Sequence, residues 1–187
     1  MKTNRLARVM AGMEKMNVSQ LLVTSTESIY YLTGQWIAPG ERLLALLIGE
    51  GGPRLFVNHM FAVPPVEGLE LVEFDDAEDS VAALAAFVAP GTIGVDKAWP
   101  SRFLLSLMGK RGDVRPVIGS KPVDDARMLK DAEEIEGLRK SSHMNDRVTG
   151  ALRKSLVEGE TELDVARRYD AIAASEGATG LGFSALI

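Results

Sequence analysis

The chain has 187 residues, of which 46% are hydrophobic and 25% are charged, and its formal net charge is -5. This balance is typical of one globular domain, or one domain and part of a second, and excludes a disordered chain. The acidic charge disfavours a nucleic-acid binder, and the lack of cysteine excludes disulfides, thiolate metal sites and a cysteine nucleophile.

The N-terminal residues 1–16 carry spaced charges and no continuous apolar region of the signal-peptide type. The longest aliphatic run, residues 43–48, is far shorter than the roughly 20 residues that span a bilayer. We therefore expect a soluble, cytoplasmic protein with neither a membrane nor a nucleic acid as partner.

The first part of the chain begins with apolar side chains at helical spacing, which predict a helix over residues 4–16. A short apolar run at residues 20–24 predicts a buried strand. Residues 26–32 predict a short helix that begins at a capping hydroxyl and ends at Gly34. A loop follows this helix.

Two apolar runs, residues 43–48 and 54–58, flank a Gly-rich turn and predict a β-hairpin. Strands and helices then alternate as a strand over 69–74, a helix over 80–88, a strand over 92–95, a helix over 101–110 and a strand over 114–118. This alternation predicts an α/β domain over residues 1–120, with a mixed sheet flanked by helices.

The character of the sequence changes in residues 121–187. Pro122 is expected to begin a linker, and residues 132–157 predict a long charged helix. A capping box of Thr161 and Asp164 predicts the start of another helix. The apolar stripe expected to face inward on the long helix consists of Ile135, Leu138, Val148 and Leu152.

Residues 182–187 predict the beginning of a strand after these two helices. The helices and the strand contain too little apolar surface to close a core of their own. Two interpretations stay open: they dock on the α/β domain and complete it, or they begin a second domain.

Few polar residues of the sequence are candidates for a catalytic or metal-binding site. The acidic segment 75–79 would suit a hard cation, but its spacing fits no calcium loop, and capping of the following helix is favoured. Capping is likewise favoured for Ser25 and Ser28. The only imidazoles, His59 and His143, have no evident partners for a metal site, although His59 follows a strand, where site residues often lie.

The loop over residues 34–42 contains Trp36, Glu41 and Arg42. An aromatic ring beside an arginine is able to bind a peptide end or a carboxylate. The alternative, a surface loop covered by a tryptophan, stays open.

Short segments of the chain resemble signatures of the creatinase/prolidase family and follow one another in the family's order. They are Ser28-Ile29-Tyr30-Tyr31-Leu32-Thr33-Gly34, Arg127-Met128-Leu129-Lys130 with Glu134-Ile135 and Leu138-Arg139, Glu158-Gly159-Glu160-Thr161-Glu162, and Gly177-Ala178 with Gly182-Phe183-Ser184. The resemblance covers essentially the whole chain.

The resemblance implies a ribonuclease H-like N-terminal domain followed by the first helices and strand of an α+β "pita-bread" domain. It implies a Xaa-Pro dipeptidase or Xaa-Pro aminopeptidase that forms a homodimer and acts on proline-containing peptides. In this family two divalent ions, commonly Mn²⁺, Co²⁺ or Zn²⁺, activate water. Their ligands lie beyond the last matching segment, so we expect no catalytic residue and no metal ligand in this chain.

The residues that the resemblance makes candidates for substrate binding are peripheral. Phe183 and Ile187 match the strand that lines the family's apolar substrate pocket. In dimeric members, the loop that corresponds to Trp36, Glu41 and Arg42 reaches toward the partner's active site, and His59 is able to do the same.

Two other functions remain open for the full-length protein. A creatinase-like amidinohydrolase would share this front part and act on a small guanidino compound. A non-enzymatic, peptidase-like binding module would keep the fold without the metal ligands, and the remainder of the catalytic domain would decide between them.

Overall fold

The computed structural model describes residues 1–182, and the chain divides into two compact units, Met1–Leu129 and Lys130–Ile187. The first unit contains one six-stranded sheet and five α-helices. Its strands are β1 (Leu21–Val23), β2 (Ala45–Ile48), β3 (Arg54–Asn58), β4 (Glu70–Phe74), β5 (Gly91–Val95) and β6 (Val114–Ile118). Its helices are α1 (Thr3–Lys15), α2 (Thr26–Thr33), α3 (Ser80–Ala85), α4 (Ser101–Lys110) and α5 (Lys121–Met128).

The sheet has the strand order β4-β3-β2-β1-β5-β6. Strand β2 runs antiparallel to both of its neighbours, and every other neighbouring pair is parallel. Five strands therefore end at the same edge of the sheet, which we call the carboxyl edge. In open α/β sheets, ligand-binding side chains concentrate at this edge.

Two apolar clusters cover the two faces of the sheet. Helices α1, α2 and α5 pack on one face, where their apolar side chains meet alternate residues of β1 to β3, such as Leu21 and Leu46. Helices α3 and α4 pack on the other face, around residues such as Leu22, Phe56 and Ile93. The predicted mixed sheet flanked by helices is confirmed.

Local sequence features explain the central part of the sheet. The predicted hairpin is confirmed as β2 and β3, and its turn places Gly51 and Gly52 at φ of 84° and 91°, a region that residues with a Cβ seldom adopt. Helix α2 ends as predicted at Gly34, whose φ is 78° and whose N–H donates to the Tyr30 carbonyl oxygen at 2.7 Å.

The segment after β6 differs from the expectation of a linker. Residues 121–128 form helix α5, with Pro122 in its first turn, where the missing N–H leaves no helical hydrogen bond unmade. Val123 and Ala126 of this helix are buried against α1 and the sheet. Burial of this short apolar face outweighs the weak helical signal of the sequence.

The second unit contains a helical pair, α6 (Ala132–Ser155) and α7 (Glu162–Ser175). Both helices begin with a capping box, formed by Asp131 and Glu134 in α6 and, as predicted, by Thr161 and Asp164 in α7. These caps satisfy the free N–H groups of each first turn.

The inward stripe predicted for α6 is only partly correct. Val148 is 2% exposed, whereas Leu138 is 58% exposed and Ile135 is 39% exposed. With 24 residues, α6 is about 36 Å long, and the 14 residues of α7 span only about 21 Å. Helix α7 is therefore too short to cover the first half of α6.

Candidate functional site

A polar cluster lies at the carboxyl edge, where β3 and β4 end and β2 begins. We call it the carboxyl-edge cluster and define it as Arg42, Asn58, His59 and Asp76. Arg42 precedes β2, Asn58 ends β3, His59 follows β3, and Asp76 follows β4. Because β2 is antiparallel to β3, and β4 is parallel to it, these positions meet at one edge.

The centre of the cluster is a bidentate ion pair. Arg42 donates from Nε to Asp76 Oδ1 at 2.7 Å and from Nη2 to Oδ2 at 2.6 Å. Asn58 donates from Nδ2 to the same Oδ1 at 2.8 Å, and its side chain is almost fully buried. The planar guanidinium matches the carboxylate in this geometry, so the orientation of Arg42 is fixed as well as its charge.

The pKa values of the pair follow from this geometry. The hydrogen bonds from Arg42, followed by its positive charge and the Asn58 amide, hold the pKa of Asp76 below its usual value of 3.8. In return, the hydrogen bond to Asp76 raises the pKa of Arg42. Both groups therefore stay charged at neutral and mildly acidic pH.

The predicted residues Glu41 and His59 lie beside this pair. The backbone carbonyl of Glu41 accepts a hydrogen bond from the guanidinium of Arg102 at the start of α4. His59 is exposed, and its Nδ1 lies 3.3 Å from the Phe74 carbonyl oxygen at the end of β4. The loop before β2 is thus held from two sides, by Asp76 and by Arg102.

Trp36 lies on the same loop but does not join the carboxyl-edge cluster. Its ring packs edge-on against Tyr30 of α2, with a centroid distance of 5.7 Å and an interplanar angle of 74°. Trp36 is 63% exposed and Tyr30 is 48% exposed. The loop therefore presents a supported aromatic surface, which is available for an apolar contact.

The acidic segment after β4 has divided roles. Asp79 accepts from the Ala82 N–H at 2.9 Å and caps α3, and Asp75 accepts from the N–H groups of Ala77 and Glu78. The capping prediction is correct for Asp79 and wrong for Asp75, which closes a turn before the helix, and for Asp76. The local sequence does not distinguish Asp76 from the neighbouring acidic residues. Its partner, Arg42, lies 34 positions earlier in the chain, just before β2.

Ser25 and Ser28 are also not caps, in contrast to the prediction. Ser25 donates from Oγ to Ser28 Oγ at 2.8 Å, and α2 has no side-chain cap at Ser25. The backbone N–H groups of Thr24 and Ser25 donate instead to the Asp96 carboxylate, which follows β5. This carboxylate follows a parallel neighbouring strand and binds N–H groups that precede the helix, so it fixes the chain before α2 and does not cap the helix.

The remaining predicted residues, Phe183 and Ile187, lie outside the residues that the structure describes. The strand expected over residues 182–187 likewise falls almost wholly outside them. For both substrate-binding residues the prediction therefore stands as it was made from the sequence.

The described residues do not fit the two divalent ions that the family resemblance implies. Within residues 1–182, no group of three His, Asp or Glu side chains is arranged to hold a metal ion. The carboxyl-edge cluster has one carboxylate, and both of its oxygens are already engaged by Arg42 and Asn58.

The fold and the carboxyl-edge cluster together characterise the first unit. The first unit is a mixed α/β domain whose loop before β2 is held by hydrogen bonds and carries an exposed aromatic pair. In the described part of the chain, no helix has both the length and the apolar character needed to cross a membrane.

The sequence profile of the creatinase/prolidase N-terminal domain matches residues 5–129. The chain belongs to this family. The matched region ends at the last residue of the first compact unit, Leu129.

Individual relatives extend the similarity over the second unit. A probable dipeptidase, PepE, of Mycobacterium tuberculosis is 30% identical over 96% of this chain. The crystal structure of dipeptidase PepE from Mycobacterium ulcerans superposes with a TM-score of 0.82 over 97% of this chain, at 28% identity. A prolidase from Thermococcus sibiricus shares the fold over 98% of this chain, with a TM-score of 0.87 and 22% identity.

The chain spans about half the length of these relatives. It covers 50% of the PepE sequence of M. tuberculosis, 51% of the M. ulcerans chain and 53% of the T. sibiricus chain. The similarity therefore concerns about half of each relative.

Proposed function

We propose that this chain is the N-terminal portion of a proline-specific metallopeptidase, a Xaa-Pro dipeptidase or Xaa-Pro aminopeptidase, which hydrolyses the peptide bond before proline. The observation that carries the proposal is the 30% identity to a probable dipeptidase over 96% of this chain. The match to this relative continues over both units, which supports a shared arrangement of domains and not the sharing of a single domain.

In this proposal the first unit is the non-catalytic N-terminal domain, and the second unit begins the catalytic domain. The helical pair of the second unit leaves an apolar groove of about 710 Å³, lined by residues such as Met144, Val148, Leu152 and Ala173. An apolar groove of this size is the kind of surface that proteins cover with further structure. The remainder of the catalytic domain is the occupant that we propose.

The proposed metal site, with two Mn²⁺, Co²⁺ or Zn²⁺ ions, belongs to that remainder. Two ions in such a site activate a water molecule and polarise the scissile carbonyl. The residues of this chain would contribute to dimerisation and substrate selection, and the proposed location of the protein is the cytoplasm.

The loop before β2 is the proposed selection element of the first unit. In a homodimer, Trp36 would offer an apolar surface and Arg42 a positive charge to a peptide bound in the partner's active site. The support for this role is the exposure of Trp36 and the fixed orientation of Arg42.

The proposal is tested with the full-length protein encoded by the gene. We expect metal-dependent cleavage of Ala-Pro, loss of that activity in EDTA, and its recovery on addition of Mn²⁺, Co²⁺ or Zn²⁺. The chain of residues 1–187 alone is the matched control, and we expect it to be inactive under the same conditions.

Three results would contradict the proposal. Cleavage of creatine without cleavage of Ala-Pro would identify an amidinohydrolase. Absence of any hydrolysis by a folded, metal-loaded protein would favour a binding module. Turnover by residues 1–187 alone would show that the hydrolytic centre lies within this chain.

A further inference from the structure

A second polar feature of the first unit lies away from the carboxyl-edge cluster. It is a cleft of about 260 Å³ at the ends of β1, β5 and β6, between the start of α2 and helix α5. We call it the α2–α5 cleft. Its volume lies below the roughly 300–1,000 Å³ of pockets for drug-sized ligands, so only a small molecule fits.

Most of the charges that line the α2–α5 cleft are already engaged. Asp96 accepts from the backbone N–H groups of Thr24, Ser25 and Ala98 at 3.1–3.2 Å. Lys97 donates from Nζ to Asp124 at 2.6 Å. These three side chains therefore build the wall of the cleft and have little capacity left for a ligand.

Two opposite charges in the cleft are not engaged with each other. Glu27, in the first turn of α2, is exposed and has no hydrogen bond or ion pair with any residue from 1 to 182. Among residues 1–182, Arg127, in the last turn of α5, makes a single hydrogen bond, from Nη1 to Ser28 Oγ at 3.3 Å. Because a guanidinium carries five N–H donors, most of those on Arg127 remain available.

The cleft also contains two buried hydroxyl groups. Ser28 is 4% exposed and Ser120 is 7% exposed, and both line the cleft. Ser120 Oγ accepts from the Lys97 N–H at 2.7 Å, and Ser28 Oγ accepts from Ser25. The cleft is thus a small, preformed space whose lining is largely apolar and includes the charged side chains of Glu27 and Arg127.

We propose that the α2–α5 cleft binds a small zwitterion, either a free α-amino acid or a dipeptide. The ligand ammonium would pair with Glu27, and the ligand carboxylate would accept from Arg127. A zwitterion satisfies both groups at once, whereas a simple anion would leave Glu27 nearby as a repulsive charge. The residues that line the cleft belong to the first unit, so the proposal does not depend on peptidase activity.

The test is a titration of the ¹⁵N-labelled chain of residues 1–187, followed by amide chemical shifts. The probes are L-alanine, Ala-Ala, acetate and ethylammonium chloride at equal ionic strength. We expect saturable shifts at the amides of residues 25–28, 97 and 120 with L-alanine or Ala-Ala. Comparison of these two probes distinguishes the amino acid from the dipeptide, and acetate and ethylammonium should bind at least about fivefold more weakly.

Variants assign the two charges. Glu27→Gln is exposed and should fold normally, and we expect it to weaken zwitterion binding about fivefold or more. Arg127→Gln should do the same, and Arg127→Lys should retain part of the affinity. The matched controls are Glu14→Gln and Arg139→Gln, which are exposed positions outside the cleft and should leave binding unchanged.

The proposal is overturned if zwitterions bind no more tightly than acetate, or if Glu27→Gln binds them as the unchanged chain does. Shifts confined to residues outside the cleft would also overturn it. These results concern the first unit only, so they would leave the assay of Ala-Pro cleavage unaffected.

Discussion

The behaviour of single residues in this protein is decided by partners that are distant in the sequence. Arg42 and Asp76 are 34 positions apart, and Asn58 lies between them, yet the three side chains share one set of hydrogen bonds. The side chains of the pair are 30% and 63% exposed, so their attraction is weakened by solvent. Their main contribution is therefore orientation of the loop and not global stability.

We expect Arg42→Ala in the full-length protein to raise KM for Ala-Pro about three- to tenfold, with a smaller change in kcat, because a charged contact to the substrate is lost. Asp76→Asn should change KM in the same direction by a smaller factor, since it releases Arg42 without removing it. Steady-state kinetics of the purified variants measure both effects.

The control for these variants is Arg115→Ala, an exposed arginine on β6 that donates to Thr92 and lies outside the carboxyl-edge cluster. Its KM should equal that of the unchanged protein. Unchanged kinetics in Arg42→Ala would show that the loop does not take part in substrate selection. An equal change of KM in Arg115→Ala would show that the loss of a positive charge acts non-specifically.

The backbones of two elements approach closely where β5 meets the end of β6. Gly119 follows β6, and its N–H donates to the Val95 carbonyl oxygen at 2.8 Å. A Cβ at Gly119 would lie 2.5 Å from the Cα of Gly94 and 2.7 Å from Cδ1 of Leu21. Only glycine at this position allows the backbones to approach so closely.

We expect Gly119→Ala to lower the free energy of unfolding of the first unit by about 1–3 kcal/mol, because the added methyl group overpacks the sheet. Urea unfolding followed by tryptophan fluorescence measures this loss. The fluorescence reports on the first unit, since the two tryptophans of the chain, Trp36 and Trp99, both lie within it.

Gly109→Ala is the control for this substitution. Gly109 lies in α4, and no atom lies within 4 Å of the position that its Cβ would occupy. Alanine should therefore leave stability unchanged or raise it by up to about 1 kcal/mol through its higher helix propensity. A Gly119→Ala variant as stable as the Gly109→Ala variant would contradict the close approach of the two backbones.

Taken as a whole, the chain consists of a first unit with two closed apolar clusters and a second unit that has little buried surface. In α6 only Val148 is buried, and in α7 only Ala173. A helical pair with so few buried side chains gains little from packing and opens readily.

We expect hydrogen exchange to differ between residues 1–187 and the full-length protein in the second unit only. Amides of α6 and α7 should exchange at least about tenfold more slowly in the full-length protein, because the proposed remainder of the catalytic domain covers the groove. Amides of β1 and β2 serve as the internal control and should not change. Mass spectrometry of peptic fragments measures both.

Equal exchange of α6 and α7 in the two proteins would contradict this proposed docking. Slower exchange throughout the first unit as well would indicate general stabilisation. Either result would bear only on the packing of the groove. The Ala-Pro assay tests the catalytic proposal independently.

Sequence patterns alone determined most of the elements of this protein. Helical spacing placed α1, Gly51 and Gly52 placed the β2–β3 turn, and Gly34 marked the end of α2, because each of these signals depends on residues close in the chain. The same reasoning located the loop with Trp36 and Arg42. It also led to the family, since short ordered segments carry that resemblance.

Only the tertiary structure decided how the polar side chains are used. Asp76 pairs with Arg42 and does not cap α3, Asp96 accepts from the backbone N–H groups that precede α2, and residues 121–128 form α5. For Asp76 and Asp96 the physical reason is that the order of strands in the sheet brings distant polar groups to one edge, where a carboxylate binds donors far away in the sequence. For α5 the reason is burial of the apolar face that contains Val123 and Ala126. A single sequence does not specify which strands become neighbours.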